Sequence, residues 1–442
     1  MQYCIIANNP NHSLMKQAIG AQLSVQSSIW PVASMLFLVA FISYANNMLV
    51  APLLTKVALA IATPIEDLGY LVTVYGLTMG VFSLVAGPLS DKFGRKRVIV
   101  VATLATALTT LLFSLSWNLA SLYTFRILNA IAAGPLLGSA LAAVGDYIPQ
   151  ERRGRAMGLV TSALFMAVVA AVPAGLTLSR MDGFDWRTAF HFMSLLALAA
   201  GIVVLVRLEQ LPAPNPNIRI RLAPVFAGFA QLLRVAPLRG MAAIFFLIYV
   251  ASGIYIVYFP SWLILNRAIS VDGLIFVYFF GGVFAFSATQ LAGHCADRVN
   301  RRKLAIVASA CVAVSSIGIL HAPTTAASIM YAALCSGIVY MSGESFRLTM
   351  LQTEAVSLTD ARNRGSFMGM IGFLIATGSA LGAGIGSLLL AMTKQFRMAQ
   401  PGAEASAMLM GYEYSTYVSA ALIALSMLLI ARGARPQEQP AK

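Results

Sequence analysis

Charge is what this sequence has least of. Asp, Glu, Lys and Arg make up 10% of its 442 residues, against about 25% in a soluble domain. A chain so poor in ionised side chains cannot clothe a globule for water, which excludes a soluble fold. Acids are scarcer than bases, 16 against 30. Cysteine is nearly missing as well. Cys4, Cys295, Cys311 and Cys335 have no metal-ligand spacing and read as packing residues without a disulfide framework. No HExxH, Walker lysine or G-x-S-x-G pattern occurs, so an ATP-driven pump or a membrane hydrolase lacks its essential parts. No enzymatic activity, metal or cofactor is expected. The first 28 residues also lack the apolar core and small-residue cleavage site of a secretory leader.

What the chain does have is apolar length. Hydrophobic residues reach 59% and the mean hydropathy is +0.80. They come in blocks of roughly 20 or more, the length that crosses about 30 Å of hydrocarbon as a helix. Stretches such as Ile99–Leu115 and Tyr417–Ile430 show none of the alternation of a β-barrel strand. The expectation is an all-α integral membrane protein of twelve transmembrane helices. The first six spans are 30–57, 69–89, 98–117, 119–146, 156–179 and 187–207. The second six are 238–264, 273–294, 303–321, 325–353, 365–392 and 412–432. Pro212, Pro214 and Pro216 mark residues 208–236 as a central cytoplasmic loop between a 30–207 bundle and a 237–432 bundle. Residues 1–29 and 433–442 are expected as cytoplasmic tails.

The basic residues orient the chain. If the N-terminus is cytoplasmic and the spans alternate, Lys92, Arg95–Arg97, Arg152, Arg153, Arg155, Arg298 and Arg301–Lys303 fall inside with most of the others. Only Lys56, Arg180, Arg187, Arg267, Lys394 and Arg397 fall outside. The same topology puts Glu66 and Asp272 at outer helix ends. Both termini are then cytoplasmic in a bacterial-type inner membrane. The positive charge becomes a topology signal, with no nucleic-acid partner implied.

A duplication is legible in the loops. Gly87-Pro-Leu-Ser-Asp91-Lys-Phe-Gly94-Arg95-Lys96-Arg97 aligns without gaps to Gly293-His-Cys-Ala-Asp297-Arg-Val-Asn300-Arg301-Arg302-Lys303, at an offset of 206. Arg153-Gly154-Arg155-Ala-Met157-Gly158 recurs as Arg364-Gly365-Ser-Phe-Met368-Gly369 at an offset of 211. Matching loops after matching helices imply a doubled six-helix unit, an architecture in which substrate binds near the midplane between repeats. Gly87 and Gly94 suit a tight turn and a close helix approach. Asp91 suits a helix N-terminus or the neighbouring arginines.

The first loop resembles the G-x-L-x-D-[RK]-x-G-R-[RK] motif of the major facilitator superfamily, and the second resembles its degraded copy. Phe125-Arg126 with Ala133-Gly134 is similar to that family's fourth-helix motif, though loosely spaced. Asp146…Pro149-x-Glu151-Arg152-Arg153-Gly154-Arg155 and Trp186-Arg187-x-x-Phe190 resemble its exits and entries around the fifth and sixth helices. The resemblance covers residues 30–432 and implies two bundles, a central cavity and alternating access. Two departures stand out against the family's drug–proton antiporters. Val168-x-x-x-Val172-Pro173-Ala-Gly175-Leu176 keeps the fifth-helix proline and little else, and the first helix carries Tyr44-Ala-Asn46-Asn47 with no acid.

An ionised group in hydrocarbon costs at least about 2.5–3.5 kcal/mol, so each needs a reason. Arg126 lies roughly 10 Å into a helix entering from outside, and Asn46 and Asn47 roughly 25 Å along one entering from inside. These depths match, and the resemblance makes the two helices cavity neighbours. Arg126 is then either a positive charge for an anionic or hydrogen-bonding substrate, or packing glue held by carbonyls and the asparagines. Glu344 is the one embedded acid and the one candidate proton carrier, with Arg347 a turn away as a pairing or gating partner. Tyr255 and Tyr258 share a face of the seventh span and, with Tyr44, are candidates to line the cavity, or else form an interfacial belt. Gly378, Gly382 and Gly386 suit close helix contact.

The expected function is secondary active transport, driven by protons, of a small organic compound by a monomer in the bilayer, with efflux by antiport foremost. Import of a small metabolite, anionic if Arg126 binds it, by proton symport or facilitation is the first alternative. A non-transporting receptor or scaffold on the same fold is the second.

Overall fold

The computed structural model describes residues 30–181, 183–213, 223–296, 298–323, 325–360, 364–398 and 409–432. Every regular element among them is helical. Six long helices precede the linker: α1 (Trp30–Met48, resumed as Val50–Ile61), α2 (Ile65–Leu84), α3 (Arg95–Ser114), α4 (Leu119–Tyr147), α5 (Gln150–Leu178) and α6 (Trp186–Arg207). Six follow it: α7 (Ala236–Arg267), α8 (Val271–Ala296), α9 (Arg301–His321), α10 (Ala326–Ser357), α11 (Arg364–Met398) and α12 (Tyr412–Arg432). Eleven of them are long and apolar enough to cross a membrane. The remaining one, α10, runs for 32 residues and carries Glu344 and Arg347. The protein is an all-α, multi-pass membrane protein.

Local chemistry sets the helix boundaries. Asn118 caps α4 through a reciprocal box with Ser121, which satisfies donors that the first turn would leave open. Asp185 and Asn300 cap α6 and α9 from their side chains. Gly94 sits at φ 89°, where a side chain would be strained, and turns the short helix Ala86–Phe93 into α3. In α5 the segment Ala167–Ala171 is π-helical just before Pro173, because proline offers no N–H to close the ordinary turn.

Helix contacts repeat with a shift of six. In the first half α3 packs on α4 and α6, and α2 on α4; in the second α9 packs on α10 and α12, and α8 on α10. The contacts between halves also exchange under that shift, α2 on α11 and α5 on α8. The backbone repeats too. Ala62 and Ala268, which end α1 and α7, are the non-glycine residues of positive φ among the described ones, both at 52° and 206 positions apart. Each of these helices is also broken near its middle, at Leu49 and at Val257–Tyr258.

The two ends of the molecule are joined differently. At the end away from the linker (the distal end) one apolar cluster mixes both halves, including Leu53, Leu71 and Trp186 with Tyr258, Trp262 and Leu274. At the loop end there are two clusters. One holds residues between 33 and 208, the other residues between 229 and 430, touched from the first half by Leu84. The halves share a core distally and keep separate cores beside the loop motifs. The distal basic residues are absorbed structurally. Arg187 donates to the Ser116 carbonyl at the end of α3, and Arg267 to carbonyls of Ile319, Leu320 and Ala322 at the end of α9, where a cation meets the negative pole of a helix.

Two expectations need correction. Residues 208–236 are not loop throughout, since Ala223–Leu233 is helical and lodges Phe229 and Leu232 against α7 and α11. The prolines that suggest a loop end before it, and Pro224 sits in its first turn, where a missing N–H costs nothing. Spans α10 and α11 also run beyond 325–353 and 365–392 to Ser357 and Met398.

Small residues set the closest contacts. A Cβ at Gly382 would stand 2.1 Å from the Val250 carbonyl oxygen, and one at Gly378 2.9 Å from that of Phe246. The glycine row on α11 therefore lets α7 approach its backbone, as its spacing suggests. We predict that Gly382→Leu lowers stability by about 1–3 kcal/mol or more through overpacking. Gly145→Ala, where no atom lies within 4 Å of the added carbon, should change it by about 0.5 kcal/mol or less. Thermal unfolding of the purified protein in detergent measures both.

Candidate functional site

Arg126 is fully buried on α4. Its guanidinium lies 3.7 Å over the ring of Tyr75 from α2 and 5.4 Å from that of Phe113 on α3. Such a cation–π contact softens the loss of water without neutralising the charge. Nη1 donates to the carbonyl and to Oδ1 of Asn46, at 3.3 and 3.4 Å. Asn46 is turned that way because its amide nitrogen donates to Thr110 Oγ1 at 2.5 Å. Asn129 supports Thr110 from α4, donating at 3.0 Å. Nε and Nη2 of Arg126 meet no protein acceptor, and no carboxylate among the described residues pairs with it. Its charge is held by dipoles and a ring face, with two donors left over.

A second buried arginine differs in having a carboxylate beside it, although its Nε and Nη1 also meet no hydrogen-bond acceptor. Arg347 on α10 is 1% exposed and its Nη2 stands 2.5 Å from Glu344 Oε1. Ser252 of α7 donates to the same carboxylate oxygen. Tyr44 of α1 does not join this group; it is partly buried, packed against the apolar clusters of the first half and of the distal end. The glutamate keeps some exposure, 18% of its side chain. Among the described residues the membrane interior thus holds two arginines against one glutamate, and the excess charge sits at Arg126.

The remaining sequence candidates separate. Asn46 joins Arg126, and Asn47 is half-buried beside it. Tyr255 and Tyr258 do not form one wall, since each is buried among different partners. Tyr255 is buried in an aromatic group with Phe259, Tyr340 and Tyr412. Tyr258 reaches the other way, and its hydroxyl donates to the Glu66 carbonyl at 2.9 Å and lies 2.8 Å from Ser387 Oγ.

In the loop motif Arg95 bridges Asp91 and Asp146, each at 2.6 Å, and also bonds Ser90, while Lys96 is half-buried. In the second copy Arg302 pairs with Glu354 at 2.8 Å, and Arg301 donates to the Ala296 carbonyl at 2.7 Å. Asp297 lies outside the described residues. Gly94 makes the expected turn. Gly87 and Gly293 have no neighbour within 4 Å of an added Cβ, so the expected close approach is not made in this conformation.

Sequence reasoning passed over Tyr75, Thr110, Asn129 and Ser252. Thr103, Thr106 and Thr110 form a polar stripe at helical spacing on α3 and were a readable signal. A lone tyrosine or serine in an apolar span carries none.

The model of the Major Facilitator Superfamily matches residues 36–383 of the sequence. The chain belongs to the major facilitator superfamily. This facilitator is therefore a transport protein and not an enzyme, and no group of three or more His, Cys, Asp or Glu among the described residues is placed to hold a metal. It is 22% identical over 393 residues to the hexuronate transporter of Bacillus subtilis, covering 83% of this chain and 89% of that protein. It is 28% identical over 170 residues to multidrug resistance protein 2 of the same organism, covering 38% of this chain and 42% of that one. In fold it is similar to the crystal structure of the nucleoside transporter NupG, with a TM-score of 0.73 at 12% identity, over 91% of this chain and 100% of that one.

The contrast between the two arginines is testable in stability. Glu344→Ala should cost about 3–5 kcal/mol by stranding Arg347 in an apolar site, and replacing both with Glu344→Ala and Arg347→Met should recover most of it. Thermal unfolding in detergent reads the difference.

Proposed function

We propose that this facilitator is a proton-coupled secondary carrier of a small organic anion, with twelve crossings in two six-helix bundles that rock about the midplane. The observation that carries the reading is Arg126, a buried cation with no carboxylate partner among the described residues and with Nε and Nη2 unused. Such a group is costly unless a ligand satisfies it in some state of the cycle. A carboxylate accepts from two guanidinium nitrogens at once, and Nε and Nη2 form one edge of the fork. Asn46 then fixes the other edge, and Tyr75 the plane.

Glu344 is the group we assign to proton coupling. It touches Arg347 and Ser252 and remains partly exposed. Protonating it frees Arg347, so charge added with the anion and charge removed at the glutamate offset one another. That balance favours symport. Antiport export on the pattern expected from the sequence would want an exchangeable carboxylate beside Arg126, and α1 supplies Asn46 there instead. The near full-length likeness to a protein named as a transporter of hexuronates, which are carboxylates, supports an anionic substrate and is silent on direction. With the loop end taken as cytoplasmic, the shared distal core supports reading this conformation as closed on the outer side.

The test is flux in proteoliposomes with a trapped pH dye and a panel of labelled monocarboxylates. We expect substrate-dependent acidification on the side the anion enters. Arg126→Ala should abolish uptake while the protein still inserts and melts cooperatively, and Glu344→Gln should abolish proton movement. Uptake unaffected by Arg126→Ala, or driven equally by neutral amides, would overturn the assignment.

A further inference from the structure

Four charges join the two halves of the chain at the distal end. Glu66, at the start of α2, pairs with Lys394 near the end of α11 at 3.0 Å. Asp272, at the start of α8, pairs with Arg180 just past the end of α5. Glu66 and Asp272 are 206 positions apart, the offset of the loop motif and of the left-handed alanines that close α1 and α7. Exchanging α2 for α8 and α5 for α11 converts one bridge into the other. The acid stands at a helix start and the base at a helix end both times, which also suits the dipoles of those ends.

We propose that the two bridges are a paired latch, one built by each repeat, that holds the distal end shut, and that both must part before the carrier opens there. Among the described residues the loop-end pairs, Arg95 with Asp91 and Asp146 and Arg302 with Glu354, each lie inside one half. The bridges are unequal. Glu66 is 11% exposed and sits on the buried contact of Tyr258 with its carbonyl and with Ser387. Gly69 is needed beneath it, because a Cβ there would lie 2.1 Å from the Tyr258 hydroxyl oxygen. Arg180 and Asp272 are 42% and 57% exposed, so this bridge is screened by salt and is the one to part first. Water-exposed pairs are weak enough to break in every cycle. The latch is independent of the substrate's charge and stands or falls apart from the anion reading.

The experiment is a spin-label distance measurement on the full chain in detergent, with the native cysteines replaced by serine. Labels go at Leu59 on the distal end of α1 and at Phe396 on α11, which are 79% and 70% exposed and lie outside the latch. The unaltered latch should give a single short-distance population. Arg180→Ala and Lys394→Ala should each raise the ratio of long to short distances by about 2- to 5-fold, the range of exposed ion pairs. Separate sites should multiply when combined. Exchanging the charges, Glu66→Lys with Lys394→Glu, should return the short population, and 1 M salt should mimic the Arg180 variant. An unchanged distribution in the double alanine variant overturns the latch. So does a broadened distribution in every variant including the charge exchange, which would report loss of helix contacts rather than of the bridges.

Discussion

Hydrocarbon offers no partner to a polar group, and the rest of this structure follows from that. Backbone groups must be satisfied inside each segment, hence helices throughout. Side-chain hydroxyls turn back on their own helix, as Thr103, Thr106 and Ser309 do to the carbonyl four residues earlier. Helices are drawn together by close backbone contact where glycine allows it, which is why the α7–α11 and α2–α11 surfaces are lined by Gly378, Gly382, Gly76 and Gly384. Against this economy a buried guanidinium stands out. Arg347 conforms, by pairing with Glu344. Arg126 does not, and the account of function rests on that exception.

The same constraint explains why the molecule can have two states. Its halves are held by a shared apolar cluster and by ionic and hydroxyl contacts at one end, while each half keeps its own core at the other. Separate cores let the halves tilt without exposing either interior. The breaks in α1 and α7 lie at corresponding places in the two repeats. Each leaves a short distal segment, Val50–Ile61 and Phe259–Arg267, and these two segments pack on one another across the halves. A helix broken there can change at its distal part without disturbing the part that carries Asn46 or Ser252.

Much of the architecture was legible because transmembrane helices announce themselves by length, and because the duplication survives in Gly87 and Gly293, Asp91 and Asp297. The meeting of Arg126 with Asn46 was legible from their equal depth together with the family resemblance that makes their helices neighbours. Tyr255 and Tyr258 share a face only if the helix is unbroken, and Pro260, which has no N–H for the Ile256 carbonyl, was the readable signal that it is interrupted there. The helix Ala223–Leu233 was hidden by prolines that precede it and one that sits harmlessly in its first turn. The distal charges were grouped at one end, but their pairing depends on which helices face each other, and that is a tertiary fact.

The central claim is that a fixed positive charge in the membrane interior selects the substrate. The most direct measurement is the shift in melting temperature of the purified wild-type protein with matched compounds, each small aliphatic or aromatic acid beside its neutral amide and its amine. The account predicts that one or more acids raise the melting temperature in proportion to concentration, as a ligand bound to the folded state must, while their amides and amines do not. Stabilisation by the amides or amines to the same extent as the acids would contradict it.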